Sequence, residues 1–190
     1  MIESLIRISP SVTYWAAWLS IASTAALFIF FGGVGFMGPA NDFLSIFQFL
    51  SLIPALFALQ RILVDSNASV INIASGLAFV GILIFAMLQA ALVVGLVTFS
   101  QTLRAILSVG SLIAIWWVAI GFVSLGGDIF PQRWAWLVLI SGVFYLLIAV
   151  GFWISGSPEH PLAAVGFLVS TITVPWWLFW LSRLLREMPN

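Results

Sequence analysis

The amino-acid sequence predicts an all-α polytopic membrane protein, a bundle of about six transmembrane helices joined by short loops. Three observations predict it. Of 190 residues, 63% are hydrophobic and 6% are charged, whereas a soluble domain carries about a quarter charged residues. The apolar runs are long: from Ile82 to Val97 the one polar side chain is Gln89. These runs do not alternate apolar and polar residues as a barrel strand does. Only helices and closed barrels satisfy the backbone in hydrocarbon, so helices remain.

Each helix has its own signals. Helix one is expected over 11–33, leaving through Gly32, Gly33, Gly35, Gly38 and Pro39. No small-residue cleavage site ends it cleanly, so it is read as a retained helix. Before Pro10, the shared face of Ile2, Leu5 and Ile6 suggests a short interfacial helix. Helix two is expected over 41–63, starting at Asn41 and Asp42, which are good N-caps. Asp65, Ser66 and Asn67 form a polar turn, and helix three follows over 68–99, the longest of the set. Helix four covers 102–124, before a turn with Gly126, Gly127, Asp128 and Pro131. Helix five covers 133–154. A turn from Ser155 to Pro161 leads to helix six, 162–183. Pro54 and Pro175 remove backbone donors and should bend helices two and six. The loops are short, so sequence neighbours pack antiparallel and the whole chain is one domain.

Basic residues set the expected orientation. With an even number of spans, Arg7, Arg61, Arg133, Arg183 and Arg186 share the side of both termini, and Arg104 alone falls opposite. Cytoplasmic flanks collect Arg and Lys. The cell membrane with cytoplasmic N- and C-termini is therefore the expected location. Tyr14, Trp15, Trp18, Trp134, Trp136, Trp177 and Trp180 cluster toward that same side, where amphipathic rings anchor.

Inventory removes most intramembrane chemistries. There is no Cys, and none of the six basic residues is Lys, so disulfides, thiolates and Schiff bases are excluded. A single His, His160, cannot supply two-histidine haem ligation or a His/Glu metal cluster. Ser157 near His160 is better read as part of a proline-punctuated turn than as a nucleophile and its base. All six acids lie at helix ends, which weakens ion-coupled transport through a midplane carboxylate. Zero net charge suggests no nucleic-acid partner. No cofactor and no metal site is expected.

What remains polar at depth is Gln48 and Gln89, with hydroxyls such as Ser20, Ser23, Thr24, Ser170 and Thr171. Such groups either tie helices together or line a pocket for a lipid or other amphiphile. The small-residue stripe Ala16, Ser20, Thr24 should face another helix. Trp116 and Trp117 lie well inside helix four, where indole either fills the core or lines an aromatic pocket. Arg104 breaks the charge asymmetry. It either reaches headgroups or forms, with Gln101, the polar mouth of a pocket reaching toward Gln89. Gln48, Gln89, Gln101, Arg104, Trp116 and Trp117 are thus the candidate pocket residues.

From Ile115 to Ile148 the chain has aromatics in helix four, a Gly-rich turn, Phe130-Pro131-Gln132-Arg133, and an aliphatic helix with Gly142 and Tyr145. Leu59-Gln60-Arg61 and the Trp-rich helix before Arg183 add to this pattern. Together these stretches resemble a family of uncharacterised bacterial membrane proteins with six to seven helices, a domain of unknown function. The resemblance implies the fold and lends no catalytic residue or substrate. Two functional classes are expected. One is a non-enzymatic membrane protein that binds a lipid, an apolar small molecule or a membrane partner, including a second copy of itself. The other is a small transporter or channel.

Overall fold

The computed structural model describes residues 2–157 and 159–188, and among these every regular element is a helix. There are seven: α1 Ile2–Phe31, α2 Met37–Leu50, α3 Leu52–Leu63, α4 Ala68–Val93, α5 Phe99–Leu125, α6 Gln132–Ser155 and α7 Pro161–Glu187. Six stretches are long and apolar enough to cross a membrane, because α2 and α3 together make the second, Met37–Leu63. This is the expected count. Pro158, in the expected turn before α7, lies outside the described residues.

Several boundaries differ from expectation for identifiable reasons. α1 runs through Pro10 as one helix, with no separate segment before it. Proline cannot donate to the carbonyl four residues back, but the Ser9 hydroxyl donates to that carbonyl, Ile6 O, at 2.7 Å. α4 stops at Val93, not 99, because Gly95 takes a left-handed turn (φ 72°) that apolar content alone does not announce. Thr98 then starts α5 through a capping box with Gln101. The second span breaks at Ser51, three residues before Pro54.

The spans close into a ring. Each packs on its sequence neighbours, and α1 packs on α7 to complete the circle. The closure is polar at one point, where Ser182 Oγ donates to Pro10 O at 2.7 Å. The Tyr14 and Trp18 rings also meet Phe179 edge-on at 5.4 Å each. Between α5 and α6 the backbones touch: a Cβ at Gly142 would lie 2.8 Å from Val118 N and 2.9 Å from Ala114 O. Small residues are what permit such approach. The end of the ring holding the first and last described residues is called the terminal end here, and the other the far end.

Candidate functional site

Between the spans, about halfway along them, lies a small, partly open cavity of about 80 Å³. Five of the six spans contribute to it. α1 brings Ser20 and Thr24, α2 brings Gln48 and Phe49, and α5 brings Trp117. α6 supplies Tyr145 and Ile148, while α7 supplies Ser170 and Thr171 among its residues. The expected stripe on α1 thus turns inward: Ala16 and Ser20 are buried and Thr24 is half-buried. Tyr145 can lie against α5 because Gly110 has no side chain; a Cβ there would sit 3.0 Å from the tyrosine ring.

Several lining residues carry a hydrogen-bonding group, most of the wall is apolar, and none of the lining residues is charged. Two of these groups are buried and have no partner among the described residues: Trp117 Nε1 and Ser170 Oγ. A buried polar atom left unpaired costs about 1–3 kcal/mol. Both of these atoms are inaccessible to water, so they sit behind the cavity wall. Six further buried polar atoms elsewhere among the described residues, Trp177 Nε1 and Gln89 Oε1 included, are equally without partners. A volume of this size holds more than one water and is well below the ~300 Å³ at which drug-sized pockets begin.

Below the cavity, toward the terminal end, the interior is aromatic. Trp117 meets Tyr145 at 5.3 Å and Trp177 at 5.8 Å. Trp134 meets Trp177 at 6.5 Å and stacks on Phe130 at 4.5 Å. Trp134 Nε1 donates to Trp177 O at 3.2 Å, tying α6 to α7. All four of these inner rings, Trp117, Trp177, Trp134 and Phe130, are buried.

Comparison of the chain with protein-family models, curated proteins and solved structures finds no match. The site must therefore be read from its own geometry.

Of the residues singled out from the sequence, the structure brings Gln48 and Trp117 together at the cavity. Trp116 is fully buried in the core, away from the cavity lining. Gln89 is also buried, yet its side-chain oxygen has no partner among the described residues and it does not line the cavity. Gln101 is occupied in the α5 capping box. Arg104 is exposed, with its guanidinium 6.0 Å from the Trp153 ring centroid. Residues 94–98 separate α4 from α5, as a pocket from Arg104 to Gln89 would require, but none of Gln89, Gln101 and Arg104 lines the cavity. His160 caps α7 by accepting from Leu162 N at 3.3 Å, and the Ser157 hydroxyl accepts from Glu159 N.

Sequence reasoning saw Ser20, Thr24, Ser170 and Thr171 as polar at depth without grouping them. It missed Tyr145 as a site residue. The available signal was a tyrosine midway along an apolar helix, where a hydroxyl at depth needs a partner.

A second depression lies outside the ring, over α7. It is a groove of about 880 Å³ along Ile172, Trp176, Phe179 and Trp180, ending at Arg183 and Glu187. Arg183 and Glu187 form an exposed ion pair at 3.0 Å.

Proposed function

We propose that this chain is an integral protein of the cell membrane that binds a small uncharged solute by hydrogen bonds inside its helical ring. The observation that carries the reading is the small uncharged cavity itself, to which Ser20, Thr24, Gln48 and Thr171 contribute hydroxyls and an amide. Neutral walls favour a neutral ligand, because a charge buried there would find no counter-charge. The cavity volume favours a solute the size of acetamide or glycerol over the lipid expected within the bundle. Binding is favoured over passage by the aromatic rings that fill the path toward the terminal end. Five of six Arg residues at the terminal end support cytoplasmic termini.

The test is saturation-transfer NMR on the purified protein with acetamide, urea and glycerol at millimolar concentration. The expected result is transfer to at least one of these solutes that disappears in Ser170→Leu, whose side chain fills the cavity. Equal transfer to both proteins for all three solutes contradicts the reading. Lipid has a second place in the proposal, outside the ring. The α7 groove joins an apolar aromatic wall to a charged end, which suits an acyl chain with its headgroup at Arg183.

A further inference from the structure

α2 is unlike the other membrane-crossing segments. It has 14 residues, and its buried residues are Ser45 and Phe49, whereas α3, the other half of the same span, buries seven of its 12. Its other side chains are half-buried or exposed, and α2 packs on both α1 and α4. Both ends of α2 are soft joints. On one side, residues 32–36 include Gly32, Gly33 and Gly35, and Gly33 has φ 101°. On the other, Pro54 cannot donate to Leu50 O, and the helix breaks at Ser51. The Ser51 hydroxyl bonds back to Phe47 O, with a longer contact of 3.3 Å to Gln48 O.

The side-chain hydrogen bonds between α1 and α2 among the described residues form one small cluster. Ser23 Oγ donates to Asn41 Oδ1 at 2.8 Å. Ser23 has a single hydroxyl proton, so at the 2.9 Å contact with Ser45 it is Ser45 that donates. Asn41 Nδ2 reaches Asp42 Oδ1 at 3.3 Å, toward the far end. One helical turn further in, α1 presents Ser20 and α2 presents Gln48, both of which line the cavity.

We propose that α2 is a hinged gate that admits small uncharged solutes to the cavity from the far end, with Ser23, Asn41 and Ser45 as its latch. The proposal rests on the binding reading above and supplies its route of access. When the latch is closed, the hydroxyls and the amide satisfy one another. When α2 swings about Ser51, the same groups line a polar path from Asp42 to Gln48 and Ser20, so the solute exchanges hydrogen bonds with them along the way.

The absence of native Cys makes the test direct. Gln48→Cys is introduced alone and its rate of reaction with methyl methanethiosulfonate, a small uncharged reagent, is followed by mass spectrometry in proteoliposomes. Adding Ser23→Ala removes two latch bonds and is expected to raise the rate roughly sevenfold, from typical interhelical hydrogen-bond strengths. Adding Pro54→Ala instead restores the helical donor at the hinge and is expected to slow the reaction. An unchanged rate with Ser23→Ala, or a faster rate with Pro54→Ala, overturns the gate. If Ser23→Ala does not fold, Pro54→Ala decides alone: a slower reaction supports the gate, and an unchanged or faster one overturns it. The rates report access to residue 48 and not affinity. Latch-dependent labelling without saturation transfer to any solute therefore sinks the binding reading and leaves the gate standing.

Discussion

In the terminal half of the ring, Trp177, Trp134 and Phe130 fill the interior, and the Trp134 indole hydrogen-bonds across to α7. In the half nearer the far end, the same six-span ring surrounds a small cavity lined by Ser20, Thr24, Gln48, Ser170 and Thr171. Unpartnered buried atoms occur in both halves, Trp177 Nε1 in the first and Ser170 Oγ in the second. Helix geometry does not account for the difference, since α1, α5, α6 and α7 run through both halves. Side-chain size and polarity do. In the first half indole rings fill the interior, whereas in the second hydroxyls and one amide are interspersed with the rings of Phe49, Trp117, Tyr145 and Phe167 and a gap remains. The first half ties α6 to α7, and the second leaves a small cavity.

The largest effect that can break this comparison is expected at Trp134. Trp134→Ala removes a fully buried ring and the bond to α7, and should lower unfolding stability in detergent by about 3–5 kcal/mol. A loss under about 1 kcal/mol would show that the aromatic half is not what ties α6 to α7. A smaller effect is expected at the α5–α6 seam. Gly142→Ala puts a Cβ against backbone atoms of α5 and should destabilise by about 1–3 kcal/mol through overpacking. An unchanged melting temperature would mean that the two helices do not approach as closely as described.

The smallest effect, and the most discriminating in sign, is expected at Gln89. Its buried oxygen has no partner among the described residues. Gln89→Leu should therefore leave the melting temperature unchanged or raise it, because an unpaired buried polar group is itself destabilising by about 1–3 kcal/mol. A clear fall would reveal a partner for Gln89 and extend the polar half toward α4.

The fold was largely legible because hydropathy reports span number directly, and six long apolar runs leave little alternative. What misled at Pro10 and Val93 was local chemistry. A serine hydroxyl satisfied the carbonyl that proline left free, and a left-handed glycine ended a helix inside an apolar run. The site was legible only in part. Gln48 and Trp117 drew attention as a polar group and an indole at depth. Ser20 and Ser170 drew none as a pair, since only the closure of α1 onto α7 brings these two hydroxyls to one cavity. Periodicity tells which face of a helix is shared, not which distant helix shares it. Gln101 and Arg104 stood out as polar exceptions, yet a helix cap and an exposed contact with Trp153 account for where they sit.

The contrast between the halves is tested most directly by two single cysteines in the otherwise cysteine-free chain. Ser20→Cys places a thiol at the cavity and Ala135→Cys places one in the aromatic half, and both parent residues are buried. In sealed proteoliposomes of defined orientation, a small water-soluble methanethiosulfonate reagent should modify Ser20→Cys from the far end and leave Ala135→Cys untouched from either side. Equal modification of the two cysteines, or modification of Ser20→Cys from the terminal end, would contradict a ring that is sealed in one half and open to small solutes in the other.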